Sequence, residues 1–426
     1  MRFLHGRRAR HHHLRRHRLW RRGGSLAVLA IFGPGLLAGL SDDDPAGITT
    51  YSILGADHGY ALLWSLAAAT VLLIVFHELA ARTGVLTGRG LLALVRETRG
   101  PRPALWLLVP LLVANLGTLC AEFAGVAAAG SLAGVPRGVS VPLAAAAVTT
   151  LVLASSFHRV ERVLLAVSAV FVTYVGAGLL AHPDPGAAAH GLLVPNLAGG
   201  SATLLAVVAC VGTTLAPWGL TFMQSYVADK HLAPGDLGFE RADVVTGAVL
   251  TGIIGAFVVV ACAATLHVEG RSIHDARDAA SALEPLAGHL AALLFGVGLL
   301  GAALLAAAVV PLATAYAVSE AAGHPGRLDD GPREAPIFYG SYVVAVVVAV
   351  GVIVVPGVPL VPVLFGSQAL NAVLLLPILW EARRLGSDAA LLGRHALRAP
   401  GRWITLTGLV AVAACVAALA VAWVLG

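Results

Sequence analysis

Residues 26–50 read LAVLAIFGPGLLAGLSDDDPAGITT, an apolar run that stops at three consecutive aspartates and a proline before apolar character returns. A helix needs roughly 20 apolar residues to cross the hydrocarbon core with its backbone satisfied internally. The stretch has that length, yet Pro45 and Gly47 break it beside Asp42, Asp43 and Asp44. A carboxylate at membrane depth costs about 3 kcal/mol on insertion scales unless it lines a cavity or meets a cation. Unwound backbone survives there only under cover of protein or enclosed water. The pattern predicts a transmembrane helix interrupted at a cation site, with Asp44 as its first ligand. The alternative is a solvated loop between two shorter helices.

The rest of the chain supports a membrane setting. Across 426 residues, 58% are hydrophobic and 12% charged, and the mean hydropathy is +0.85. Too few polar side chains remain to coat a soluble globule of this size, so the surface faces lipid. Apolar stretches predict eleven helices, at 26–56, 60–81, 104–132, 139–157, 160–181, 202–228, 244–266, 290–318, 337–355, 363–379 and 404–425. Of the 28 lysines and arginines, nine fall in an N-terminal tail (1–24), sixteen at connections on the same side and three (Arg137, Arg271, Arg277) opposite. By the positive-inside rule the tail is cytoplasmic, and with eleven spans the C-terminus lies outside. The tail, with His11, His12 and His13, reads as a basic segment touching anionic lipid. Residues 25–426 read as a single transmembrane domain of a multi-pass plasma-membrane protein. The four cysteines sit in apolar runs with no CxxC spacing and read as small apolar residues.

The sixth span repeats the design of the first. Residues 208–230, VACVGTTLAPWGLTFMQSYVADK, carry Gly212, Pro217 and Gly219 inside an apolar helix, and an unwound turn there turns carbonyls such as that of Thr213 inward. Interrupted helices at corresponding places in two halves point to a midplane transport site. Spans one and six each open a set of five (25–182 and 200–382), with an extra helix at 403–425. Because five is odd, the second set is inverted relative to the first. One carboxylate, carbonyls, a hydroxyl and an amide make an all-oxygen site for a hard cation, and Asp44 would repel a substrate bearing its own carboxylate.

Several enzyme signals fail. GVGLLG (296–301) lies in an apolar helix without the preceding strand that a dinucleotide site needs, HELAA at His77 lacks a second histidine, and Lys230, the only lysine, is outside any phosphate loop. The chain reads as neither an enzyme nor an ATP-driven pump, with no cofactor and no nucleic-acid partner.

At its broken helices the chain resembles the NRAMP family of divalent-metal transporters, whose hallmarks are DPGN in the first helix and MPH in the sixth. The matching positions here are DPAG (44–47) and APW (216–218). GPGLL, GADHGYALLW, ELAARTGVLTGRGL and FGVGLLGA fit around them, so the likeness spans almost the whole chain. It implies an all-α, LeuT-type inverted repeat of five plus five helices with helices 1 and 6 broken, and alternating access to a metal that is substrate rather than cofactor. The implied metal site is Asp44, Gly47, Thr213, Ala216, Gln368 and Asn371; Asp43, Glu122, Trp218 and Gln224 line the pathway or vestibules. Gln368 and Asn371 have a second reading as helix–helix hydrogen bonders, and Glu122 as a neutral acid inside the bundle.

The departures matter as much. Ala216 stands where the family has a thioether, Gly47 where it has an asparagine and Trp218 where it has a histidine. LCAE (119–122) keeps one of two acids, and PIFYGSYVV (336–344) lacks the arginine pair of proton-coupled members. These changes resemble the NRAMP-related magnesium transporter branch, which implies transport of Mg2+ and also Mn2+ without proton coupling. A proton-coupled Mn2+/Fe2+ carrier, a cation channel and a binding or sensing protein that moves nothing are the rivals.

Overall fold

The computed structural model describes residues 34–154, 172–230, 232–274, 278–279, 291–324, 326–328 and 330–425. The basic tail, the first residues of span one, most of span five with Arg159 and Arg162, and Arg277 lie outside them. The described chain is all-helical, without strands. Nine helical segments among the described residues are long and apolar enough to cross a membrane.

Span one is two helices, α1 (Pro34–Ser41) and α2 (Pro45–His58). It is followed by α3 (Leu63–Thr87), a short α4 (Leu91–Arg99), α5 (Pro101–Leu132), α6 (Arg137–Ala154) and α7 (Val172–Leu180). After a small α8 (Pro185–Leu193), span six is again two helices, α9 (Gly200–Thr214) and α10 (Pro217–Asp229). Then come α11 (Leu237–Cys262, prolonged by a π-turn), α12 (Ala291–Ala322), α13 (Pro336–Val354), α14 (Leu360–Gly386), a single turn α15 (Ala389–Leu392) and α16 (Ala399–Leu425). Helix α3 runs six residues beyond the predicted end at 81, and α14 seven beyond 379, because helices continue into the polar interface where hydropathy no longer reports them.

The packing order shows the inverted repeat. The first helix of each set lies on the second helix of the other: α1 and α2 on α11, and α10 on α3. Third packs on third (α5 on α12) and fourth on fourth (α6 on α13). Such reciprocal pairing is what a two-fold exchange of two five-helix units produces. Among the described spans, span six is the most enclosed, 89% buried over its apolar window against 22% for α16, so α16 is peripheral.

Backbone approach brings the broken helix onto its partner. Gly35 and Gly39 form a GxxxG pair on α1, and a Cβ on Gly39 would stand 2.6–2.9 Å from Gly247 backbone atoms of α11. The Thr251 hydroxyl donates to the Gly39 carbonyl (2.5 Å), and the Asp243 carboxylate accepts from the Gly35 N–H (2.8 Å). A negative group at the start of α1 also complements its helix dipole. On the other side, Gly125 of α5 admits the Pro45 ring, whose Cβ and Cγ occupy the space a side chain would need.

Candidate functional site

Both helix breaks are written in local chemistry. Asp44, with extended backbone (φ −73°, ψ 172°), is the N-cap of α2, its Oδ1 accepts from Gly47 N–H at 2.5 Å, and Pro45 sits at the first helical position where a missing N–H costs nothing. In span six, Pro217 begins α10 and Ala216 is its N-cap (φ −72°, ψ 144°). The carbonyl of Thr213 would take its helical hydrogen bond from residue 217, and a proline there has no donor. The Thr213 carbonyl at the C-terminal end of α9 is therefore left without its helical hydrogen bond.

The two breaks meet at Gly47. A Cβ placed on Gly47 would stand 2.8 Å from the Asp42 carbonyl oxygen, 3.1 Å from Thr213 Oγ1 and 3.3 Å from Asp44 Oδ1. Three oxygens, contributed by both interrupted helices, thus surround a space kept open by the missing side chain. Thr213 Oγ1 is buried without a hydrogen-bond partner. Ala216 is 2% exposed and contributes only a methyl group to its side chain.

The acids are enclosed. Asp42, Asp43 and Asp44 are 1%, 0% and 3% exposed, which rules out the solvated-loop alternative. Both carboxyl oxygens of Asp42 and of Asp43 lack a hydrogen-bond partner, and the Glu122 carboxyl of α5 lies against that of Asp44. Asp42 Oδ1 faces Gly219 of α10, next to the unpartnered Nε2 of His77. Unpaired carboxylates out of water are costly, and either a bound proton or a cation offsets that cost. Among the described residues no three His, Cys, Asp or Glu side chains converge as a metal cage. The oxygens at the Gly47 space are a carboxylate, a carbonyl and a hydroxyl, donor types that suit hard ions.

The remaining predicted residues fall into two groups. Gln368 and Asn371 of α14 are buried together, with Asn371 Nδ2 donating to Thr118 Oγ1 of α5 (2.9 Å) and to Gln368 Oε1 (3.0 Å). The first of these bonds joins α14 to α5, and Asn371 Oδ1 is left as a free acceptor. A Thr118→Val, Asn371→Leu double-mutant cycle read by thermal unfolding in detergent is expected to give a coupling of about 0.6 kcal/mol; no coupling would mean the bond is idle. The second group lies on α10. Trp218 is fully buried with Nε1 unpartnered, its ring 6.5 Å from that of Phe222. Gln224 donates to the Arg89 carbonyl (3.1 Å), tying α10 to the α3–α4 connection.

Sequence reading missed what closes this arginine-rich end. Glu320 of α12 accepts from Ser225 Oγ of α10 (2.6 Å) and from Ala93 N–H of α4 (3.3 Å), while Arg96 donates to the Ala321 carbonyl (2.7 Å). Tyr316 and the Leu328 N–H both donate to Asp229. LLALVRETR (91–99) carries apolar and charged residues at helical spacing and could have signalled α4; the Glu320 contacts join residues too far apart to read.

A family model described as Natural resistance-associated macrophage protein-like matches residues 35–422. The divalent metal cation transporter MntH of Burkholderia ambifaria is 32% identical over 292 residues, which are 66% of this chain and 66% of that protein. MntH of Deinococcus radiodurans is 31% identical over 307 residues, 68% and 69% of the two chains. Among solved structures, the Eremococcus coleocola manganese transporter superposes with a TM-score of 0.74 at 19% identity, covering 93% of this chain and 87% of that one. MhsT, solved with L-phenylalanine, gives 0.64 at 15% identity, covering 90% and 98%. At such identities these superpositions speak to the fold.

Proposed function

Because the chain belongs to the Nramp family, we propose that it carries divalent metal cations across the membrane by alternating access, holding the ion at the Gly47 space between the two helix breaks. The name shared by the Burkholderia and Deinococcus relatives, divalent metal cation transporter, supports the substrate class. One observation carries the finer reading: the groups around that space are Asp44 Oδ1, the Asp42 carbonyl and Thr213 Oγ1, with only a methyl at position 216 and an indole at 218. A site of oxygens without a thioether favours a hard ion, and a site without a bulky ligand admits one that keeps part of its water shell. Mg2+ fits both, and Mn2+ passes as well. With neither a histidine at 218 nor an arginine in 336–344, no proton route accompanies the ion, which moves inward down its electrochemical gradient. The potential supplies about 2.3 kcal/mol per charge per 100 mV, twice that for a divalent ion. The ligands are Asp44, Gly47 and Thr213 with the Ala216 carbonyl; Asn371 and Gln368 hold water around it, Asp43, Glu122 and Trp218 line the path, and Gln224 closes its inner end.

Ala216→Met tests the selectivity. It restores a soft donor at the break and is expected to raise the Cd2+-to-Mg2+ uptake ratio about tenfold, a difference of ~1.4 kcal/mol. An unchanged ratio would mean that residue 216 does not face the ion. A second reading, proton-coupled Mn2+ transport, is favoured by the retained Glu122 beside Asp44 and by the name of the manganese transporter that shares the fold. It predicts acidification of vesicles as metal enters.

A further inference from the structure

At the arginine-rich end of the bundle, away from the helix breaks, a cavity of about 600 Å³ opens between α3, α11 and the connection into α16. Arg82, Arg241, Arg394 and Arg398 line it, and Glu78 is the only acid among its described lining residues. Glu78 is shared by Arg82 (3.1 Å) and Arg241 (2.6 Å), and Arg82 also donates to the His395 carbonyl (2.9 Å), which pins the connection over the cavity. Arg394 and Arg398 are exposed and have no ion-pair partner among the described residues. The cavity holds an excess of three positive charges.

The same helix faces turn apolar toward the middle of the membrane. On α3 the face runs Arg82, Glu78, Ile74, Val71, and on α11 it runs Arg241, Val245, Val249, both at the three- and four-residue steps that align side chains along a helix. Val71 is 57% exposed, Val245 and Val249 are 40% each, and Ile404 at the start of α16 is 50%. Along both helices the charged side chains that line the cavity thus give way, on the same helix faces, to exposed aliphatic ones.

We propose that this cavity binds an anionic phospholipid, its phosphate among Arg241, Arg394 and Arg398 and its acyl chains along the valine face of α3 and α11. A free anion would make no use of the apolar face. A zwitterionic lipid would leave the excess positive charge uncompensated. Basic pockets between transmembrane helices select anionic headgroups for this reason. The binding joins α3 and α11, the second helices of the two repeats, to α16.

Purified full-length chain, delipidated in detergent, would be titrated with dioleoylphosphatidylglycerol, dioleoylphosphatidylcholine or inorganic phosphate while its thermal unfolding is followed. A saturable rise in Tm with phosphatidylglycerol alone is expected. Arg394→Gln/Arg398→Gln should shift that titration to about thirtyfold higher lipid, at roughly fivefold per arginine. An equal response to phosphatidylcholine, or an unshifted titration in the double variant, would overturn the lipid site, and a response reproduced by inorganic phosphate would make it a simple anion site. Native mass spectrometry of the unaltered chain needs no variant: from an equimolar lipid mixture it should retain phosphatidylglycerol over phosphatidylcholine, and equal retention refutes the proposal.

Discussion

Asp44→Asn is expected to abolish metal uptake, by at least about a hundredfold, while leaving the helix break intact. Asparagine caps helices as well as aspartate does, so its Oδ1 still accepts from the Gly47 N–H that Asp44 binds at 2.5 Å. What disappears is the negative charge on the one acid whose carboxyl oxygen borders the Gly47 space. Two unit charges 4 Å apart attract by roughly 4 kcal/mol at an effective dielectric of 20, and a divalent ion doubles this before its dehydration is subtracted. A net loss of ~3 kcal/mol is about a hundredfold. Asp44→Ala should lose transport equally and lower stability by a further ~1 kcal/mol through the lost cap. Uptake and thermal unfolding of both variants separate the two effects. Near-normal uptake by the asparagine variant would move the binding site elsewhere.

Gly212→Ala should destabilise the protein by about 3 kcal/mol, the reverse of what this exchange does in an ordinary helix interior, where it stabilises by roughly 0.5–1 kcal/mol. The reason is the close approach of α9 and α14 one turn before the break: a Cβ at 212 would overlap the Gln368 carbonyl oxygen and stand 2.8 Å from the Ala372 nitrogen. Both are backbone atoms of a packed helix, so neither can yield without moving α14. Since α14 also holds Asn371 against Thr118, the strain spreads to the bond between α14 and α5. A lowered Tm with loss of a monodisperse elution peak is the expected result; a neutral or raised Tm would mean that α9 and α14 sit farther apart.

The features legible in sequence were those encoded within a few residues. Pro45 after Asp44, and Pro217 after Ala216, stop one helix and start another by removing donors and fixing φ, so both breaks and the five-plus-five order could be read before any packing was known. The residue types at the Gly47 space were equally legible, because a glycine, an aspartate and a threonine beside two prolines have few other uses at membrane depth. Contacts between distant segments were not. Nothing near Asn371 in sequence showed that its amide also bonds to Thr118, 253 residues away. The bond from Gln224 to the Arg89 carbonyl was equally hidden. Glu320 gave no sign of its role, since its partners Ser225 and Ala93 lie on two other helices.

Mg2+ uptake into proteoliposomes loaded with a magnesium-sensitive dye, with internal pH read in parallel and Asp44→Asn as the control, tests the central claim most directly. Saturable Mg2+ entry that leaves internal pH unchanged and disappears in the variant is the predicted result. Exclusion of Mg2+, with Mn2+ entering together with protons, would contradict the uncoupled magnesium reading.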